Sequence, residues 1–254
     1  MRIAGLLVSL LLPSTALAGT LSLQTTDGLT LSAESSGSGT HGVVLLHAAG
    51  GDRSVWTDLA DTLSKSDCRV VALDLRGHGA SPGTLDDAAY PSMLEDARAA
   101  ITWLESKGVE DIHLVGAEFG ANLALSAAAA IDSVDTVSLL SPTLSAKGLK
   151  VSSALGGIGQ RPVLAVASRD DAAGARAAQL IHGKATGAKH LAIYDGNAKG
   201  HRLLNTAPAL EGLVLSWVNG SFLQADDPRR ASGAAVETDI EEIETTGERF
   251  EDRD

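Results

Sequence analysis

Ile112-His113-Leu114-Val115-Gly116-Ala117-Glu118-Phe119-Gly120-Ala121-Asn122-Leu123 is the stretch on which the reading of this chain turns. The run Ile112 to Val115 reads as a buried strand, and the alanine-rich segment after Gly120 reads as a helix. Between them stands G-x-E-x-G. Glycines flank the central Glu118 because a sharp strand-to-helix turn brings backbone too close for side chains. Working outward, short apolar runs alternate with helical patterns: Val43 to Leu46, Val70 to Leu73, Ile112 to Val115, Val137 to Leu140, Val163 to Val166 and Leu191 to Tyr194. Such alternation predicts an α/β fold, a doubly wound and mostly parallel sheet with helices on both faces. Upstream, Leu21-Ser22-Leu23 and Leu29 to Ala33 alternate with period two around Asp27-Gly28, which predicts an opening antiparallel hairpin.

Two helices can be placed from their patterns. Ser92-Met93-Leu94-Glu95 has the form of a capping box, with Leu94, Ala97, Ile101 and Leu104 following on one face and Gly108 ending the helix. A later one runs from Ala209 to Val218, with Leu210, Leu213, Val214 and Trp217 on one side.

The strand, G-x-E-x-G and helix of the opening stretch resemble the nucleophile elbow of the α/β-hydrolase superfamily, whose usual motif is G-x-S-x-G. Three further stretches carry the same resemblance. Leu45-Leu46-His47-Ala48-Ala49-Gly50-Gly51 is similar to the loop whose backbone helps build the oxyanion hole, with Ala48 where glycine is usual. The resemblance implies that the Ala49 and Phe119 amides form that hole. Val71 to Ser81 is similar to the family's D-x-R-G-x-G-x-S turn, in which His78 and Ser81 are structural. Ser168-Arg169-Asp170-Asp171 follows a strand, and Gly196 to His201 follows the next. By the family's chain order these supply the triad acid, Asp171 with Asp170 as the alternative, and the histidine, His201. Small capless esterases, lipases and dienelactone hydrolases are the members most resembled. They imply ester or lactone substrates of modest size.

Glu118 at the nucleophile position is the departure. A carboxylate has no proton for histidine to remove and attacks an acyl carbon weakly, so ordinary serine-esterase chemistry is expected to be disabled. Three readings stand. The site is degenerate, with Glu118 held ionised at the helix N-terminus and paired to protonated His201. Alternatively Glu118 attacks sp3 carbon, as the aspartate of haloalkane dehalogenases and epoxide hydrolases does; Phe119 in place of their tryptophan, and only about twenty residues (141–160) where a cap would be inserted, count against this. In the third, Glu118 and His201 act on water as acid and base, or the pocket binds a ligand without turnover. Two functions of different class follow: a binding or regulatory protein for a small ligand or partner, and an active hydrolase of ester, lactone or epoxide type using Glu118 and His201.

The ends bound the domain. Residues 1–18 carry Arg2, an apolar run from Ile3 to Leu12, Pro13 and Ala16-Leu17-Ala18, the layout of a cleavable secretory signal. Ten apolar residues fall short of the roughly 20 needed to span a bilayer. A periplasmic or secreted product is expected, with no membrane attachment after cleavage. Residues 19–223 form the domain. Residues 224–254 hold eleven acidic and four basic residues and few large apolar ones, so the tail is expected to be disordered, its partner unidentified. That tail supplies −7 of the chain's −12 charge, and the acidic balance argues against nucleic acid. The single cysteine, Cys68, permits no internal disulfide and is read as a packing thiol. The seven histidines show neither helical i, i+4 pairing nor close clusters with acidic residues, so no metal is expected; no phosphate loop and no cofactor are expected either.

Overall fold

The computed structural model describes residues 19–86 and 89–223. The expected signal segment and the acidic tail lie outside the described residues. The chain opens with β1 (Gly19–Gln24) and β2 (Thr30–Ser36), an antiparallel pair turning at Gly28, whose φ of 93° suits glycine. The remaining main strands are β3 (His41–Leu46), β4 (Cys68–Leu73), β5 (Asp111–Ala117), β6 (Thr136–Leu140), β9 (Val163–Ser168) and β10 (Lys189–Tyr194). Between β6 and β9, β7 (Ser145–Ala146) and β8 (Leu149–Lys150) make a small separate hairpin.

The large sheet has the order β1-β2-β4-β3-β5-β6-β9-β10, parallel from β4 to β10. After β3 the chain adds β4 on one side and then β5 on the other. That reversal opens a crevice beyond the carboxyl ends of β3 and β5, where open α/β sheets bind ligands.

Side chains of each strand alternate between two cores. One face packs Val44, Leu46, Leu114 and Leu139 under α2 (Ala89–Ser106), α3 (Phe119–Ala130), α4 (Val151–Gly157) and α5 (Ala172–Lys184). The other packs Val43, Leu45, Val115 and Val166 under α1 (Thr57–Ser64), α6 (Arg202–Thr206) and α7 (Ala209–Val218). Leucines buried this completely are each worth about 1.5–3 kcal/mol relative to exposure. Double burial explains why these strands read as unbroken apolar runs.

Two sequence expectations need correction. Helix α2 begins at Ala89 and not at Ser92: Asp86 accepts the Ala89 N–H at 2.9 Å, and Pro91 sits in the first turn, where its missing N–H costs nothing. Glu95 consequently does not close a capping box; it accepts from Thr26 Oγ1 at 2.5 Å and pairs with Arg98. The histidines also do cluster with an acid. Strand register sets His41 opposite Asp111, and His113 lies two residues further along β5 on the same side, so the three meet at the amino-terminal end of the sheet.

Candidate active site

The elbow is built by backbone. Glu118 lies between β5 and α3 at φ 52°, ψ −112°, a conformation that costs a non-glycine residue about 1–3 kcal/mol. Its N–H donates to Leu140 O at 2.8 Å, which ties the bend to β6. A Cβ on Gly116 would come within 2.6 Å of Ala121 N, and one on Gly120 within 2.6 Å of His47 O, so neither glycine can be replaced without opening the turn. The Glu118 side chain is half-buried and caps nothing.

Phe119, as the first residue of α3, presents an N–H with no intrahelical acceptor. Close approach of Gly120 to the Leu46 and His47 carbonyls sets this helix end against the β3 loop, where Ala49 is exposed. His47 fixes that loop: its Nδ1 donates to Ala48 O at 2.8 Å while Nε2 accepts from the Leu75 N–H at 3.1 Å. Burial lowers its pKa, so the ring is a neutral strut. The neighbouring D-x-R-G turn is also structural. Buried Asp74 accepts from the Arg53 and Ala80 amides and pairs with the Arg53 guanidinium. Ser81 donates to Asp74 O at 2.6 Å, and His78 Nδ1 lies 3.0 Å from Arg76 O.

The loop after β10 brings Gly200 directly over the elbow. Its φ is 55°, and a Cβ there would fall 2.9 Å from Glu118 Oε1 and 3.2 Å from Ala117 Cβ. His201 follows at the head of α6, its ring edge-on to Trp56 at 6.5 Å between centroids. His201 Nδ1 is buried with no hydrogen-bond partner. Burial pushes its pKa down, the nearby Arg202 charge adds to this, and the Glu118 carboxylate opposes both. No hydrogen bond or ion pair joins Glu118 to His201 among the described residues. The expected lock between a carboxylate and a protonated imidazole is therefore not formed; desolvation favours the neutral ring.

Asp171 is buried, whereas Asp170 is exposed. The Asp171 carboxylate does not reach His201. It caps α5 by accepting the Gly174 N–H at 3.3 Å and pairs with Lys199 Nζ at 3.0 Å. The structure thus sets the Gly200–His201 loop over Glu118 at the elbow, and turns Asp171 to a lysine two residues before the histidine.

Sequence reasoning missed Lys199, Trp56 and Ser141 as neighbours of this site. Leu140 pairs with Ala117, so Ser141 stands beside Glu118, at φ 52°, with a fully buried hydroxyl lacking a partner. Its only sequence signal was its place directly after a strand. An open hollow of about 410 Å³ beside His201 is lined by Asn197, Ala198, Lys199, Arg202 and Thr206. A larger one, about 840 Å³, runs along β2 and α1 and includes Trp56 but none of Glu118, Asp171 or His201.

The sequence model of the alpha/beta hydrolase fold matches residues 43–186. The chain belongs to the α/β-hydrolase fold family. No curated protein matches it by sequence. Among solved structures, this α/β-hydrolase is similar to an esterase from Pyrococcus furiosus, at TM-score 0.71 and 16% identity over 81% of this chain and 91% of that one. A dienelactone hydrolase from Anabaena variabilis gives TM-score 0.67 and 16% identity over 81% and 98%. A hydrolase from Pseudomonas aeruginosa gives 0.62 and 19% over 78% and 98%. At such identities the likeness is one of fold.

Proposed function

We propose that this protein is an exported α/β-hydrolase with a degenerate catalytic triad, which lacks ordinary serine-esterase activity and binds a small ester- or lactone-like ligand or a partner. The observation that carries the reading is the interrupted proton path. Ester hydrolysis by this fold needs a nucleophile that gives up a proton, an imidazole that takes it, and an acid that orients the imidazole through Nδ1. Glu118 has no proton to give. His201 Nδ1 has no acceptor, because Asp171 is engaged by Lys199 and the α5 N-terminus. The Ala49 and Phe119 amides, which the family resemblance assigns to the oxyanion pocket, would hold a carbonyl or carboxylate oxygen there, which suits binding without turnover.

A second reading has one observation in its favour. Burial keeps His201 neutral while its neighbour Glu118 is close enough to act on its charge, so His201 could take a proton from a water molecule attacking an ester or epoxide.

Assays of aryl esters and epoxides separate the two. The native chain is expected to show no turnover that depends on Glu118. Hydrolysis by the native protein that Glu118→Ala abolishes would overturn the proposal in favour of the second reading. Esterase activity gained in Glu118→Ser, and raised further by adding Lys199→Met, is the result expected if Asp171 regains His201 once its lysine is gone. Export rests on the character of residues 1–18; a secreted or periplasmic product beginning at Gly19, read by mass spectrometry, tests it.

A further inference from the structure

We propose that His41, Asp111 and His113 form a binding site for a divalent transition-metal ion of the zinc type, clipping β3 to β5 at the end of the sheet opposite the elbow. The first residues of the two strands, His41 and Asp111, are register partners, and alternation returns His113 to the same side. His41 Nδ1 lies 2.8 Å and His113 Nε2 2.9 Å from the same oxygen, Asp111 Oδ1. The ligand atoms all lie within 4.8 Å of one another.

Two imidazoles and one carboxylate on converging vectors are a zinc donor set. Zinc–nitrogen bonds of about 2.0–2.1 Å and zinc–oxygen bonds of about 2.0–2.2 Å can be met when the carboxylate backs away to admit the ion. Asp111 has the freedom to do so, since it begins its strand and its side chain is 31% exposed, against 4% for His113. Nitrogen donors select zinc, cobalt, nickel or copper over calcium and magnesium.

A hydroxyl that would orient one of the histidines is already in place. Thr136, the register partner of His113 on β6, holds its Oγ1 2.6 Å from His113 Nδ1. Without metal, His113 Nε2 donates to Asp111 Oδ1. When an ion displaces that proton, the remaining imidazole proton on Nδ1 can be donated to the Thr136 hydroxyl, leaving the Nε2 lone pair for the ion, the arrangement that orients ligating histidines in metal proteins. Three protein ligands leave a fourth position for water on the exposed side of Asp111. Seven residue steps along β5 separate Asp111 from Glu118, about 23 Å at about 3.3 Å each, so the ion would brace the sheet without entering the crevice.

The full chain, stripped with chelator, should be titrated with Zn²⁺ by calorimetry and with Co²⁺ by visible absorption, alongside melting curves. One equivalent is expected to bind, and metal at a hundredfold over Kd should raise the melting temperature by about 5–10 °C. Asp111→Asn, His41→Gln and His113→Gln should each weaken binding tenfold or more, while His182→Gln leaves it unchanged. Should the buried His113 variant fail to fold, the half-buried pair decides. Absence of binding by the native chain overturns the proposal. So does binding that persists undiminished in both Asp111→Asn and His41→Gln, since the ion would then sit elsewhere, as on the acidic residues of 224–254.

Discussion

Replacing Gly120 by alanine tests the construction of the elbow with a single methyl group. The added carbon would lie 2.6 Å from His47 O and closer still to Leu46 O. Both are backbone atoms; Leu46 ends β3, which is held on one side by β4 and on the other by β5, and neither carbonyl can swing away like a side chain. Forced overpacking costs about 1–3 kcal/mol, and an obstacle made of backbone places this case at about 3 kcal/mol. For a domain of this size the melting temperature should fall by about 6–12 °C. Gly212, inside α7, provides the matched control: nothing lies within 4 Å of a Cβ there. Gly212→Ala should stabilise by about 0.5–1 kcal/mol, because alanine restricts the unfolded chain and favours helix. Urea unfolding of the two variants beside the native protein gives both values. A Gly120→Ala protein within about 1 kcal/mol of native would refute the steric account of the turn.

Other perturbations probe the surrounding frame. Arg76 donates to buried Asp96 at 2.7 Å through Nε, so Arg76→Met leaves a buried carboxylate without its counter-charge and should cost about 3–5 kcal/mol by urea unfolding. Asp27, the second partner of Arg76, is held at a pKa of about 2 chiefly by its hydrogen bond to Arg76, below the ordinary 3.8. A depressed carboxylate pKa stabilises the fold fully above 3.8 and loses that contribution as pH falls toward about 2. Asp27→Asn should therefore cost about 1 kcal/mol near neutrality, after allowance for solvent screening, with the gap to native closing in acid; a gap unchanged at the acid end would contradict this. Cys68 is fully buried and its thiol is pushed up to about 12, first by burial and then by Asp67 and Asp111. A thiol reagent at mildly alkaline pH should label it only after denaturant is added, which a colorimetric time course reads directly.

The strands were legible because burial on both faces leaves a run of apolar residues that no surface segment imitates, as in Val43 to Leu46 and Val163 to Val166. The hairpin turn at Gly28 and the helix from Ala209 to Val218 could also be read locally, since one glycine and one apolar face define them. Helix α2 shows where local reading misleads. Ser92 with Glu95 has a capping pattern, yet the nearer Asp86 takes the first amide and the helix starts a turn earlier. What escaped the sequence altogether depends on long-range placement. The pairing of Asp171 with Lys199 joins side chains 28 positions apart, and the meeting of His41 with Asp111 spans 70 and is fixed only by strand register. Nor does any motif reveal that His201 Nδ1 would be enclosed without an acceptor, because an unfilled valence leaves no trace in residue order.

The bend at position 118 also has a practical side. Its geometry is imposed by Gly116, Gly120, the Leu140 carbonyl and the overlying Gly200, none of which depends on the identity of the side chain displayed there. The frame thus works as a socket with one interchangeable fitting. A mutant library confined to that single codon, with serine, cysteine and aspartate among its members, would sample distinct reactivities on an otherwise constant architecture.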